Sequence, residues 1–153
     1  MDLTQPVRAE PPARILVVDD QPSQRLALRT ALAEVGEEVI AVASGTEALW
    51  FLLDNDVAVI LLDVNMPEMN GLMATQIISS TLDGVAVIVL TAYDDEEQMF
   101  FALRAGAAAY FVKDVTPEEL ISAIRIVSTG RYVVGGKRMT RDQVQHWLAD
   151  WIE

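Results

Sequence analysis

A wholly apolar run that stops on one carboxylate constrains this chain more than any other feature. Val57-Ala58-Val59-Ile60-Leu61-Leu62 ends at Asp63, and a loop punctuated by proline and glycine follows, Val64-Asn65-Met66-Pro67-Glu68-Met69-Asn70-Gly71. A half-exposed strand would alternate polar and apolar residues, so an unbroken run predicts a strand buried on both faces, as in a parallel sheet covered by helices. Such a sheet delivers the last residue of each strand to its carboxyl edge, where open α/β folds place their sites. Asp63 is therefore expected to be a placed carboxylate.

The rest of the chain repeats the pattern. Ile15 to Val18 is a β-branched run ended by Asp19-Asp20, and Pro22 suits the first turn of a helix that carries Leu28, Leu32 and Val35 and closes at Gly36. Val39 to Ala43 reads as a second strand. Ser44-Gly45-Thr46-Glu47 has capping-box spacing before a helix bearing Ala48, Leu49, Leu52 and Leu53 that runs to about Asn55. After the third strand, Val57 to Asp63, a helix is expected from Gly71 to about Thr81, then a strand from Val85 to Leu90 ending at Thr91. Asp95 to Gln98 has cap-like spacing and opens a helix through Met99, Ala102 and Leu103 to Gly106. Ala109 to Val112 is a strand ending at Lys113, and Thr116-Pro117-Glu118-Glu119 opens a helix that stops at Gly130. Strands and helices in strict alternation predict an α/β fold: a doubly wound five-stranded parallel sheet with helices on both faces and right-handed crossovers.

Composition narrows the function classes. At 153 residues and 52% hydrophobic content the chain suits one domain with a substantial core and a short appendage. No apolar run approaches the ~18 residues of a membrane span, and residues 1–12 read as a polar, flexible N-terminal segment rather than a signal, so a cytoplasmic protein is expected. The absence of cysteine excludes disulfides, thiolate metal sites and a Cys nucleophile, and the single His146 leaves zinc without a ligand set. A net charge of −12 argues against direct nucleic-acid binding by this chain.

Strand ends carry the chemistry. Asp19 and Asp20, Asp63, Thr91 and Lys113 all fall on one edge of a parallel sheet, where side chains far apart in sequence converge. Three gathered carboxylates repel one another unless a cation neutralises them, and an open all-oxygen site suits Mg²⁺ better than Ca²⁺. A metal beside a lysine and a hydroxyl suits phosphoryl transfer, with a carboxylate as nucleophile. Taken singly, each residue has a plain structural reading: Asp19 or Asp20 as a helix cap, Asp63 as a loop cap, Thr91 as a strand-end hydroxyl, Lys113 as a solvated cation. The weight lies in their combination.

On Val17-Val18-Asp19-Asp20, Leu62-Asp63-Val64-Asn65-Met66-Pro67-Glu68-Met69-Asn70-Gly71, Leu90-Thr91-Ala92 and Lys113, the chain resembles the receiver domain of two-component response regulators, the CheY-like fold. The resemblance covers about Arg14 to Gly130, giving an expected receiver domain over 13–130 and a linker with a C-terminal amphipathic helix over 131–153. It implies a phosphorylation-dependent switch rather than an enzyme, limited to self-phosphorylation and autodephosphorylation. Asp63 would accept a phosphoryl group from a sensor histidine kinase or a small phosphodonor. The resemblance makes Asp20 the main Mg²⁺ ligand, with Asp19 acting through water and the backbone carbonyl of Asn65 completing the set together with Asp63. Thr91 and Lys113 would hold phosphoryl oxygens, Tyr110 takes the switch-aromatic position, and output would pass through the surface of the fourth helix, fifth strand and fifth helix. Asn65 and Tyr93 resemble positions that tune autodephosphorylation.

Many receivers follow the lysine with a cis proline, whereas Lys113 precedes Asp114, leaving the geometry of that peptide open. Lys113-Asp114, with Thr116-Pro117-Glu118-Glu119-Leu120 and the ending at Gly130, resembles the NarL/FixJ group, whose members usually carry a DNA-binding helix-turn-helix domain; the chain is too short to hold one as well. Gly135-Gly136 reads as a flexible break, and Thr140 with Gln143 as the cap of a last helix. Its stripe of Val144, Trp147, Leu148, Trp151 and Ile152 must be covered by its own domain or by another molecule; a homodimer could use this helix or the face of the fourth and fifth helices. His146 reads as a surface residue. A haloacid-dehalogenase-type aspartyl-phosphate phosphatase is the alternative, though that class has an acid two residues beyond a nucleophile on its first strand and a cap domain that this length does not accommodate. A flavodoxin-like cofactor binder lacks its phosphate-cradling loop after the first strand.

Overall fold

The computed structural model describes residues 14–33, 38–64 and 70–152, with the side chain of 152 left aside. Val35, Gly36, Asn65 and the 1–12 segment lie outside the described residues. The strands are β1 (Arg14–Val18), β2 (Glu38–Val42), β3 (Val59–Asp63), β4 (Ala86–Thr91), β5 (Ala109–Val112), β6 (Tyr132–Val134) and β7 (Lys137–Met139). The helices are α1 (Pro22–Leu32), α2 (Gly45–Asp54), α3 (Gly71–Thr81), α4 (Glu96–Arg104), α5 (Pro117–Ser128) and α6 (Arg141–Ile152). They build one seven-stranded sheet in the order β2-β1-β3-β4-β5-β6-β7, parallel except for the antiparallel pair β6-β7.

Alternation along each central strand splits the core in two. Ile15, Val17, Val59, Leu61, Ile88 and Leu90 face α1 and α5, where Leu28, Leu32, Leu120 and Ile124 cover them. Leu16, Val18, Ile60, Leu62, Val87 and Val89 face the other way, under Leu52, Ile78, Leu103 and Val144. Every residue of β3 is buried, as the unbroken apolar run requires. Removing a side chain of this size from water on both faces stabilises by about 1.5–3 kcal/mol each, so β3 anchors whatever its end carries. One residue of α2 departs from expectation: Leu53, expected on the apolar stripe, is 71% exposed, and Trp50 of the same helix is 68% exposed.

Local signals set the helix starts. Ser44 accepts the Glu47 N–H at 3.1 Å, Thr116 and Glu119 form a reciprocal capping box, and Pro22 and Pro117 occupy first-turn positions where no intrahelical donor is needed. Thr140 and Gln143 cap α6 reciprocally, at 3.2 and 2.8 Å, as their spacing predicts.

The sheet continues past Gly130. Gly135-Gly136, read from sequence as a flexible break, forms the two-residue turn between β6 and β7, with φ of 59° and 79°. A two-residue hairpin that follows strand twist needs positive φ at both positions, which glycine adopts without steric cost. β6 runs parallel to β5, pairing Val133 with Ala109, so α5 is a crossover helix rather than the last element of the sheet. Helix α6 turns its stripe onto its own domain: Val144 is 2% exposed, and Trp147 and Leu148 pack beside it. Trp151 stacks on Phe100 of α4 with ring centroids 4.8 Å apart. His146 is exposed.

Candidate functional site

Register alone brings the strand-end residues together. Val18 pairs with Leu62, so Asp19 and Asp63 leave β1 and β3 side by side; Asp63 pairs with Leu90 and Thr91 with Val112, so Thr91 and Lys113 end the next two strands one residue further on. Asp19, Asp63 and Thr91 are buried, at 1%, 3% and 0% exposure. The Lys113 Nζ lies 3.3 Å from Asp19 Oδ2 and 3.4 Å from Asp63 Oδ1, across 94 positions of sequence in the first case.

One carboxylate oxygen from each of Asp19, Asp20 and Asp63 falls within 4.8 Å of the others. Three acids face one ammonium, an excess of negative charge that a hard divalent cation suits, and the donor set is all oxygen. The group therefore fits Mg²⁺, the ion that receivers bind at such an acidic cluster. Asp19 Oδ1 also accepts the Gln21 N–H at 2.9 Å, while Arg25 donates to its backbone carbonyl at 2.9 Å. Its oxygens are thus largely committed to protein donors. Among the described residues, the half-buried Asp20 has no side-chain hydrogen bond, which leaves its carboxylate the most available of the three. Asn65, the remaining expected ligand, lies outside the described residues.

Gly71 keeps the loop after Asp63 tight. Its N–H donates to Val64 O at 2.8 Å, and a Cβ there would sit 2.5 Å from the Asp63 carbonyl oxygen and 2.6 Å from Val64 Cα. Only glycine fits without moving the backbone that carries Asp63. Asn70 beside it caps α3 by accepting the Met73 N–H at 2.9 Å.

Thr91 and Tyr110 meet through a residue that sequence reasoning missed in this role. Gln98 Oε1 accepts from the Thr91 hydroxyl at 2.8 Å and from the Tyr110 hydroxyl at 2.9 Å. The Asp95–Gln98 spacing predicts a helix start, and Asp95 does cap the Glu97 and Gln98 N–H groups. The Gln98 side chain turns to the two hydroxyls, because those buried groups need an acceptor more than an exposed helix end does. No signal in the sequence separates the two uses of a glutamine. Tyr110 is 7% exposed, with its hydroxyl also 3.3 Å from Tyr93 O and 3.4 Å from Asp95 O; burial pushes its phenol above the ordinary value of 10.0. Tyr93 itself is 70% exposed. The peptide bonds described, Lys113–Asp114 included, are all trans.

Known proteins share sequence and fold with most of this chain. Residues 15–125 match the family model described as response regulator receiver domain. The uncharacterized transcriptional regulatory protein YxjL of Bacillus subtilis is 37% identical, over 78% of this chain and 56% of its own length. Response regulator UvrY of Escherichia coli is 35% identical, over 86% of this chain and 62% of its own length. The chain thus spans less than two thirds of the length of these relatives. Among solved structures, a CheY-like receiver domain protein from Methanospirillum hungatei superposes with a TM-score of 0.73 at 30% identity, covering 77% of this chain and 94% of that one. The receiver domain of the putative response regulator NarL from Mycobacterium tuberculosis gives 0.73 at 30% identity, covering 80% and 100%.

Proposed function

From the premise that this chain belongs to the response regulator receiver domain family, we propose that it is a switch set by phosphorylation of Asp63. The observation that carries the reading is the meeting of a buried Asp63 with Asp19, Asp20 and Lys113 at one sheet edge. Asp63 attacks the phosphorus of a histidine kinase phosphoimidazole or a small phosphodonor; a carboxylate oxygen–phosphorus bond forms, and the donor bond breaks with its electron pair leaving on the donor. Asp20 and Asp63 would hold Mg²⁺ directly, Asp19 would do so through water, and the Asn65 carbonyl would complete the set. The bound ion would supply positive charge against the phosphoryl oxygens. Lys113 offsets a further oxygen charge, and Thr91 donates its hydroxyl to another. When the Thr91 hydroxyl turns from Gln98 to the phosphoryl oxygen, the hydrogen bonds shared by Thr91, Gln98 and Tyr110 rearrange, so a local charge change biases a two-state element. The chemistry is confined to gaining and losing this group, and the phosphatase alternative has no support among the relatives.

Output is proposed through α4, β5 and α5. That face carries parts of the chain itself, since β6 pairs with β5 and α6 packs on α4. The signal then leaves by way of the C-terminal segment, toward a DNA-binding part if the chain is the receiver of a transcriptional regulator, as YxjL is named. A homodimer built on the α6 stripe requires α6 to leave its own domain; one on the outer side of α4 and α5 does not. Among the described residues no helix is long and apolar enough to cross a membrane.

Beryllofluoride with Mg²⁺, a stable mimic of the phosphoryl group, should bind and change the amide spectrum around Thr91 and Tyr110. Asp63→Asn should abolish the change. An equal response in that variant would refute Asp63 as the acceptor.

A further inference from the structure

Thr91 carries one hydroxyl proton, and in this structure that proton is already in use. Its oxygen accepts the Tyr93 N–H at 3.2 Å, and its hydrogen points to Gln98 Oε1 at 2.8 Å. The Thr91 and Tyr110 hydroxyls each bring a hydrogen to this point, and the Gln98 amide serves both with its oxygen turned inward. The same Oε1 receives the Tyr110 hydroxyl at 2.9 Å and so uses both lone pairs. Thr91 is fully buried, so its proton cannot turn to bulk water instead.

We propose that Gln98 is a positioning residue that opposes the phosphorylated state by competing with the phosphoryl group for the Thr91 proton. The proposal rests on the reading of Asp63 as phosphoacceptor. A hydroxyl with one hydrogen donates to one acceptor at full strength, so bonding a phosphoryl oxygen on Asp63 means leaving Gln98. Tyr110 is coupled to the same oxygen but is not stranded by the exchange: its hydroxyl has the carbonyls of Tyr93 and Asp95 within 3.3 and 3.4 Å. Gln98 lies in the first turns of α4, whose start Asp95 fixes, and two residues further on Phe100 holds Trp151 of α6. The glutamine thereby ties the resting threonine to the helix against which α6 stacks. Satisfying two buried hydroxyls is a structural role in itself; what a structural role alone would not produce is a Gln98 effect on phosphoryl-mimic binding that depends on the Thr91 hydroxyl.

The test is a double-mutant cycle read by beryllofluoride binding in the presence of Mg²⁺, followed by fluorine NMR or calorimetry. Gln98→Met keeps the length and removes the acceptor, and since Gln98 is half-exposed the change leaves the core alone; Gln98→Ala serves as a second variant. Removing one competing hydrogen bond should tighten beryllofluoride about 3- to 10-fold in the Thr91 protein, and should have no effect in the Thr91→Val background. Unchanged or weaker binding in both glutamine variants, or a gain that persists without the Thr91 hydroxyl, overturns the proposal while leaving the acceptor assignment standing. If the unmutated protein binds beryllofluoride no better than Asp63→Asn does, the acceptor assignment fails first and takes this proposal with it.

Discussion

Strand β3 and the β6-β7 hairpin belong to one sheet and are held by opposite means. β3 is central, buried along its whole length and flanked by strands on both sides; β6 and β7 are three-residue strands at the sheet's end, and β7 shows Lys137 and Arg138 to solvent. The first can present a charged residue at its tip because its body is fixed by apolar burial. The second depends on a glycine turn and on helix α6 laid over Val134. Rigidity at the acidic edge and a lighter hold at the C-terminal end suit a device that senses at one place and transmits at another.

Unequal hold leads to unequal mutational cost. Leu61→Ala, at a site with 0% exposure, should lower unfolding free energy by about 3–5 kcal/mol, whereas Val134→Ala in the hairpin should lower it by about 1–2 kcal/mol. Urea titrations measure both, and equal losses would break the contrast. Lys113→Ala comes next. It strips the cation from Asp19 and Asp63, and allowing for its partial exposure it should cost about 1–2 kcal/mol without divalent ions, with Mg²⁺ restoring much of the loss. Thermal melts with and without Mg²⁺ check this; a loss that Mg²⁺ does not reduce would mean the ion and the lysine act at different places.

The smallest effect is a pH dependence. Tyr110 holds its proton more tightly when folded, so its contribution is complete below pH 10 and is lost as pH rises through the folded value; between the two, the unfolded chain binds fewer protons and stability falls. Ultraviolet titration of the protein against Tyr110→Phe should isolate a phenol ionising above 10.0. Ionisation at or below that value would show the ring to be more open to water than its burial implies.

Sequence made the central region legible and the C-terminal region only half so. The Val59–Leu62 run announces a doubly buried strand, and strict alternation then fixes which strand ends share an edge, so the sequence itself gathers Asp19, Asp63, Thr91 and Lys113. Thr140, Gln143 and the Val144 stripe likewise announced α6. The hairpin stayed hidden because Lys137-Arg138-Met139 has no apolar pattern and paired glycines serve equally well in a linker or a tight turn. Which surface covers the α6 stripe is a tertiary fact with no local signal. Gln98 escaped notice for the converse reason, that a sufficient local role concealed a long-range one.

The most direct test of Asp63 as acceptor is chemical mapping of the acyl phosphate. Protein treated with acetyl phosphate and Mg²⁺, reduced with borohydride and digested, should carry the reduced aspartate at position 63 alone, and the product should vanish in Asp63→Asn. Modification at another carboxylate, or a phosphoryl group on His146, would contradict the assignment of the switch to the end of β3.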